Sequence, residues 1–321
     1  GRYVIVDIKM EYDYPTIRRA LFDPECRRGG TVLIHKQPDN IWRIDYQLNE
    51  NEKTEQALDE KNVRDSVSAV LREINYNGSW ELEWWSVYSA NTLALDDYRD
   101  ESIFFVGDSA HIVPIFGVRG LNNGFSDAAN IGWKLGWVLN GKAGKDLLNS
   151  YSPERRGATI DVFYNSSKSS KFMTPSTYGW KLMRDAALSL ALKHKFAGEL
   201  ANPRQFMPYK YSQSTAIIKD TNQNFLGGPK PGELLPEIKM DVGYLTDLLG
   251  KGFTVLCFNK DTANKLEEII SYGISVVIIN ILSRTSKLLH AENKSAYLVR
   301  PDGYIAARWK NITPEKIIKE F

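Results

Sequence analysis

The chain has 321 residues, of which 43% are hydrophobic and 25% charged, and its net charge is +2. This length accommodates two domains with cores of their own, and so small a charge gives no case for a nucleic-acid or membrane-surface partner. No apolar run is long enough to span a bilayer. The two cysteines, Cys26 and Cys257, do not make a disulfide framework, so a reducing compartment, the cytoplasm, is expected.

The first half of the chain is predicted to build a sheet. Apolar and β-branched residues predict strands at 3–8, 31–35 and 41–48, and Gln37–Asn40 has the composition of a hairpin turn. In the third of these strands Trp42, Ile44 and Tyr46 share one face, and Arg43, Asp45 and Gln47 share the other.

A helix and a further strand are predicted after this sheet. Val63, Val67, Val70, Leu71 and Ile74 recur near helical spacing, which predicts an amphipathic helix. The aromatic and β-branched residues of 81–95 then predict one strand.

The stretch 102–141 has the layout of a ligand site. An apolar strand, 103–106, is predicted to be buried and to end at Gly107-Asp108. A loop with Pro114, Gly117 and Gly120 follows, and then a helix from about 122 to 140. The first amides of a helix lack internal partners and carry the positive end of its dipole, so this end suits an electron-rich ligand. Glycines let a flat ligand approach the backbone, and Asp108 can accept hydrogen bonds from a sugar-type hydroxyl.

The second half is predicted to be helical and then mixed. Helices cover most of 151–197, with an interruption near 174–178, and the Pro-, Gly- and Asn-rich segment 203–232 is predicted to be a linker. A separate unit, 233–321, follows in the order strand, helix, strand, hairpin and helix. Its hairpin turns at Pro301-Asp302-Gly303.

The stretch 102–141 resembles the second flavin motif of FAD-dependent aromatic-ring monooxygenases of the p-hydroxybenzoate, phenol and 3-(3-hydroxyphenyl)propionate hydroxylase type. That motif reads GD-x-A-H-x-x-P-x-x-G-x-x-G-x-N-x-G-x-x-D-A-x-N. The matching residues are Gly107, Asp108, Ala110, His111, Pro114, Gly117, Gly120, Asn122, Gly124, Asp127, Ala128 and Asn130.

The resemblance implies a flavin site. Asp108 would contact the ribityl chain of FAD, and the backbone from Pro114 to Asn122 would surround the isoalloxazine ring. Amides around Leu121 and Asn122 would stabilise negative charge near flavin N1 and O2. The expected cofactor-binding residues are therefore Gly107, Asp108, Pro114, Gly117, Gly120, Leu121 and Asn122. No catalytic side chain and no metal ligand is assigned, and His111 is given a positional role.

The resemblance also implies an α/β (α+β) architecture in four parts. A substrate-binding sheet domain would cover 1–95, the C-terminal part of an FAD-binding domain 96–150, a helical segment and linker 151–225, and a thioredoxin-like domain 226–321. No G-x-G-x-x-G occurs in the chain, so we expect the N-terminal part of the FAD domain to be missing. A redox thioredoxin needs C-x-x-C, and only Cys257 is present, so a structural role or a homodimer contact is expected of the last domain.

The implied activity is hydroxylation of a phenolic or other aromatic substrate with NAD(P)H and O2, through a C4a-hydroperoxyflavin. His35, Arg43 or Tyr46 could border that substrate. The favoured alternative for these residues is an Arg43–Asp45 pair with ordinary cross-strand packing. Two other functions stay open, an inactive association module and a flavin-dependent halogenase or epoxidase.

Overall fold

The computed structural model describes residues 1–49, 51–89, 91–113, 119–201, 208–220 and 225–318. These fall into two compact units. Unit 1 consists of the described residues of 1–92, 113–117 and 164–205, and unit 2 of those of 93–112, 118–163 and 206–321.

Unit 1 is built on a five-stranded antiparallel sheet. Its strands are β1 Arg2–Met10, β2 Arg19–Phe22, β3 Thr31–Lys36, β4 Ile41–Gln47 and β5 Trp80–Ser89, in the order β2-β3-β4-β1-β5. Helices α1 Thr54–Ala57 and α2 Glu60–Glu73 lie between β4 and β5 in sequence. The turn between β3 and β4 has Asp39 and Asn40 in the left-handed region, as expected of a tight hairpin.

The core of unit 1 lies between one face of the sheet and α2. Trp42, Ile44 and Tyr46 are buried there, as their alternation predicts, against Val63 and Val67 of the helix. Asp59 caps α2 by accepting hydrogen bonds from the amides of Lys61 and Asn62, at 3.1 and 3.3 Å. The predicted amphipathic helix is confirmed.

Unit 2 begins with short strands around the ligand-site stretch. They are β6 Leu93–Ala94, β7 Arg99–Asp100, β8 Ile103–Phe104 and β9 His111–Ile112, and β6 pairs with β9 while β7 pairs with β8. The strand predicted over 81–95 is confirmed up to Ser89 as β5, but its predicted end is wrong, because Leu93 and Ala94 form a separate strand that pairs with β9. The predicted buried strand 103–106 is also wrong, since β8 has two residues and Ile103 is exposed.

Four helices follow along the chain: α3 Gly120–Leu139, α4 Tyr151–Met173, α5 Tyr178–Ala191 and α6 Lys195–Ala201. The break between α4 and α5 is where the sequence predicts it. The first part of α4 belongs to unit 2, whereas its end, with α5 and α6, belongs to unit 1. In unit 1 the end of α4 is fixed to β3, because the Thr31 hydroxyl donates to the Met173 carbonyl at 2.5 Å.

The C-terminal part of unit 2 is a four-stranded sheet. Strands β10 Thr254–Cys257, β11 Ser275–Ile278, β12 Ala296–Val299 and β13 Ile305–Trp309 are ordered β11-β10-β12-β13, with only the β10–β11 pair parallel. Helices α7 Lys260–Lys265, α8 Arg284–Leu288 and α9 Pro314–Ile318 accompany them. The order of strand, helix, strand, hairpin and helix is as predicted, with α8 in addition.

Helix α3 is packed on this sheet. Trp133 and Trp137 contact Phe253 with ring centroids 5.5 and 4.9 Å apart, in a cluster that also contains the buried Cys257. Burial raises the pKa of the Cys257 thiol to about 12, so this cysteine behaves as a small core residue. Within the described ranges, no helix is both long and apolar enough to cross a membrane.

Candidate flavin site

The site is centred on the turn that follows β8. Residues Gly107–Ser109 form a single 3-10 turn, closed by the Ser109 hydroxyl, which accepts from the Val106 amide at 2.9 Å and donates to the Val106 carbonyl at 2.8 Å. Gly107 has φ +60°, a conformation that favours glycine. The turn leaves the Asp108 side chain exposed, where it can meet a ligand.

Asp127, on α3, fixes this turn to the helix. Its Oδ2 accepts from the Gly107 amide at 3.0 Å and from His111 Nε2 at 2.7 Å, and its Oδ1 accepts from Arg155 Nε at 2.6 Å. Asp127 is 0% exposed. Burial alone would raise the pKa of its carboxyl, but the His111 hydrogen bond and the Arg155 charge outweigh burial and hold the pKa below its usual value. The carboxylate therefore stays charged and keeps Nε2 of His111 as the donor.

His111 thus acts on the turn and not on a ligand through Nε2. Its Nδ1 is buried and meets no hydrogen-bond partner among the described residues. The structure agrees with the positional role predicted for His111. It also shows Arg155 of α4 bound to Asp127 and Asn123 of α3.

The start of α3 offers backbone donors. Arg119 occupies the N-cap without a side-chain cap among the described residues, and the first helical hydrogen bond runs from the Asn123 amide to the Arg119 carbonyl at 2.9 Å. The amides of Gly120 and Leu121 come before Asn123 in the first turn, so they have no acceptor within the helix and face outward from its N-terminal end. The helix begins at Gly120, two residues before the predicted start.

Exposed apolar side chains surround these donors. Leu121 is 70% and Phe125 65% exposed, and Asn122 is exposed beside them. A Cβ on Gly124 would lie 3.5 Å from the Gly107 Cα, so the turn and the helix are in contact through backbone. Donors, apolar surface and close backbone together suit a flat, electron-rich ring. Pro114 and Gly117, also predicted to bind the cofactor, lie outside the described residues.

A second buried ionic cluster lies further along α3. Glu154 of α4 accepts from Lys134 Nζ at 2.8 Å, from Asn130 Nδ2 at 2.6 Å, from the Ser214 hydroxyl, and from two nitrogens of Arg300 at 2.7 and 3.0 Å. Burial works against this charge, yet Arg300 and Lys134 lower the pKa of Glu154 to about 2. Burial lowers the pKa of Lys134 to about 8, against the attraction of Glu154.

The sequence reasoning did not single out Glu154, Arg300 or Tyr211. Tyr211 accepts a hydrogen bond from Arg155 at 2.6 Å and is buried, although it lies in the segment predicted to be a linker. The two charged motifs YSPERR and VRPDGY could have indicated this cluster. Burying their charges costs free energy unless opposite charges pair with each other.

The three candidate substrate residues lie in unit 1. His35 and Arg43 are opposite each other on β3 and β4, whereas Tyr46 is on the other face, inside the core with α2. The structure therefore brings His35 and Arg43 together and separates Tyr46 from them. The predicted Arg43–Asp45 pair is wrong: Arg43 donates two hydrogen bonds to Asp7, both 2.8 Å, because Asp7 is directly opposite on β1.

Asp45 is the unexpected residue on the face of His35 and Arg43. It is 4% exposed, and its Oδ1 meets no partner among the described residues. Burial raises the pKa of its carboxyl to about 6, partly offset by Arg18 and Arg43. Burial and the charges of Arg18 and Arg43 lower the pKa of His35, so this face holds a neutral imidazole beside a carboxyl that is hard to ionise.

Comparisons with known proteins agree with this geometry. A family model described as FAD binding domain matches residues 13–166. The 3-(3-hydroxy-phenyl)propionate/3-hydroxycinnamic acid hydroxylase of Mycolicibacterium gilvum (strain PYR-GCK) is 26% identical over 273 residues, which are 83% of this chain and 46% of that protein. The rifampicin monooxygenase of Rhodococcus hoagii is 32% identical over 223 residues, 70% of this chain and 42% of that protein.

A solved structure has the same fold. The flavin-dependent monooxygenase PieE, in complex with FAD and substrate, superposes with a TM-score of 0.74 at 19% identity, over 99% of this chain and 65% of that one. The chain spans less than half the length of the two curated relatives.

Proposed function

We propose that this chain belongs to the FAD-dependent aromatic-ring monooxygenases, that it binds FAD at the Gly107–Ser109 turn, and that it serves the hydroxylation of a phenolic or other aromatic substrate. The observation that carries the proposal is the tie between this turn and the start of α3. Asp127 holds both, so that the exposed Asp108 and the amides of Gly120 and Leu121 are fixed relative to each other.

The residues present fit the cofactor. Asp108 would accept a hydrogen bond from a ribityl hydroxyl, and the amides at the start of α3 would face the electron-rich edge of the ring. Leu121 and Phe125 would exclude water from the ring's surroundings. Bound FAD would supply the redox chemistry and the activation of O2, while these residues bind and orient it.

The substrate and its surroundings belong to the same proposal. The relatives' names support an aromatic substrate. His35 and Arg43, with Asp45, are the polar groups that we propose for its recognition, and Tyr46 would act only by supporting the sheet. NAD(P)H as reductant, a cytoplasmic location, a homodimer and a thioredoxin-like assignment for the last sheet stay predictions.

Flavin retention tests the proposal. The purified chain is incubated with FAD, free flavin is removed, and the visible spectrum is recorded; a retained, shifted flavin band is expected. Consumption of NAD(P)H that depends on added phenols, with formation of a hydroxylated product, should follow. A chain that retains flavin but forms no hydroxylated product from any phenol would contradict the hydroxylase assignment.

The variant Asp108→Ala tests the residue assignment. We expect the Kd for FAD to rise at least about tenfold, because one hydrogen bond to a polar group of the ligand is worth about 1.4 kcal/mol. Asp241→Ala removes another exposed carboxylate of unit 2 and should leave FAD binding unchanged. Equal flavin retention in the two variants would remove Asp108 from the site.

A further inference from the structure

The turn between β12 and β13 reaches away from its sheet and into the helices. Arg300 donates its amide to the Tyr304 carbonyl at 2.8 Å, and the Gly303 amide donates to the Arg300 carbonyl at 2.9 Å, which makes the turn tight. Gly303 has φ +83°. The Arg300 side chain is fully buried and the Asp302 side chain is 3% exposed, so both interact with protein groups and not with solvent.

A first route leads from this turn to the middle of α3. Arg300 donates to both carboxylate oxygens of Glu154. It also donates to both carboxylate oxygens of Asp302, at 3.0 and 2.6 Å. Glu154 in turn holds Lys134 and Asn130 of α3, and Asp302 accepts directly from Asn130 at 3.2 Å. Two positive and two negative side chains meet, so the cluster is electrically balanced and its burial is tolerated.

A second route leads to the Gly107–Ser109 turn itself. Tyr304 is stacked on Tyr211, with ring centroids 4.1 Å apart and planes at 26°. The Tyr211 hydroxyl accepts from Arg155 at 2.6 Å, and Arg155 donates to Asp127 at 2.6 Å. Asp127 then holds the Gly107 amide. Four side chains and one backbone amide thus connect the hairpin with the residue before Asp108.

The energetics favour a positional role over a stabilising one. A buried ion pair is weak support for stability, because desolvation offsets the attraction between the charges. The apolar contacts of Trp133 and Trp137 with Phe253 already join α3 to the sheet. What the ionic cluster adds is direction, since a bidentate arginine and a carboxylate fit each other in one orientation.

We propose that the Arg300–Tyr304 turn is a positioning element for the flavin site: through Glu154, Arg155 and Asp127 it sets the position of Gly107–Ser109 relative to the start of α3. None of its residues need touch the cofactor. The link to flavin rests on the function proposed above, whereas the effect of the turn on Gly107–Ser109 does not depend on it.

Hydrogen–deuterium exchange of the chain without FAD tests the proposal. In Arg300→Gln, amides of 107–112 and 120–134 should exchange at least about tenfold faster, the factor that one lost charge-assisted hydrogen bond corresponds to. Arg308→Gln is the matched control, because Arg308 is also buried on the same hairpin but pairs with Asp220, at 2.9 and 2.6 Å. It should speed exchange in the C-terminal sheet and leave 107–112 unchanged.

Arg300→Lys separates the effect of positioning from the effect of charge. It also replaces Arg300→Gln as the test variant if that variant does not fold. Lysine keeps the charge opposite Glu154 but loses the bidentate geometry, so exchange at 107–112 should lie between that of the wild type and that of the glutamine variant. Unchanged exchange at 107–112 in Arg300→Lys, with the wild-type fold retained, would overturn the proposal. So would equal effects of Arg300→Gln and Arg308→Gln on that segment.

Flavin titrations keep the two proposals apart. If the wild type binds FAD, Arg300→Lys should bind it more weakly and shift its visible spectrum, while Arg308→Gln should match the wild type. If the wild type does not bind FAD, the function proposed above fails, and the exchange data still decide whether the hairpin positions the turn. Equal spectra and equal affinities in Arg300→Lys and wild type would contradict the positioning of the flavin site.

Discussion

Asp127 organises the residues around the turn because three groups bind its two oxygens. The Gly107 amide, the His111 ring and the Arg155 guanidinium all donate to it, and its own backbone belongs to α3. The sequence places Asp127 inside the predicted helix of 122–140. It could not show these contacts, because His111 and Arg155 lie 16 and 28 positions away along the chain.

Asp45 gives a prediction with a defined pH dependence. Its folded-state pKa is raised from 3.8 to about 6, so its protonated form is favoured by folding, and this contribution is fully present below pH 4 and is lost as the pH rises through 6. Asp45→Asn should therefore leave the free energy of unfolding unchanged near pH 4. Near pH 8 Asp45→Asn should raise the free energy of unfolding by roughly 3 kcal/mol, because the shift is about two pKa units at about 1.4 kcal/mol each.

Urea unfolding at the two pH values measures this effect. Asp65→Asn, an exposed carboxylate on α2, is the control and should show no such difference. A destabilising effect of Asp45→Asn at pH 8 would mean that the carboxylate has a partner that holds it charged.

At the scale of elements, α3 presents different faces to different surroundings. Its tryptophans are packed on the C-terminal sheet, and its start carries the backbone donors of the proposed flavin site. Gly132 and Gly136 are four residues apart and therefore share a further face. A Cβ at either glycine would meet no atom within 4 Å among the described residues.

Gly132→Ala is expected to stabilise the chain. Replacing a helical glycine with alanine gains about 0.5–1 kcal/mol where there is room for the methyl group. Gly157→Ala on α4 is the contrasting variant, since its Cβ would lie 2.9 Å from the Tyr209 hydroxyl and should cost stability. Thermal unfolding of both variants checks the prediction, and a lower Tm for Gly132→Ala would show that this face of the helix is covered.

The elements were predictable to different degrees. Helix α2 and the face of β4 followed from strict periodicity, and the start of α3 was found within two residues because glycines and apolar spacing coincide there. The short strands β6 to β9 were not predictable. Each has only two residues, so no periodic pattern can develop, and β6 is in addition held by the more distant β9.

At the scale of the whole molecule, unit 2 combines the Gly107–Ser109 turn with the C-terminal sheet. The sequence suggested a separate C-terminal unit, because the Pro- and Gly-rich segment before it has the composition of a linker. That suggestion missed the buried charges, since Glu154 and Arg300 are 146 residues apart and nothing local indicates that they pair. The proposed domain boundaries at 95, 150 and 225 stay predictions.

Glu154 should make unit 2 sensitive to acid. Its folded-state pKa is lowered from 4.5 to about 2, so the stability that it contributes is present above pH 4.5 and is lost as the pH falls toward 2. Glu154→Gln should cost about 3 kcal/mol or more at pH 7, because Arg300 and Lys134 lose their buried counter-charge. It should also flatten the dependence of unfolding on pH between 4.5 and 2. Glu268→Gln, in an exposed position of unit 2, is the control, and an equally steep acid transition in Glu154→Gln would contradict the assignment.

The most direct test of the central claim is hydrogen–deuterium exchange of the unmodified chain with and without FAD. Flavin binding at the proposed site should slow the exchange of amides in 107–112 and at Gly120 and Leu121, which precede the first hydrogen bond of α3. The C-terminal sheet around Cys257 should exchange at the same rate in both states. Retained flavin that leaves 107–112 and the start of α3 unchanged, or no flavin-dependent protection anywhere in the chain, would contradict the account.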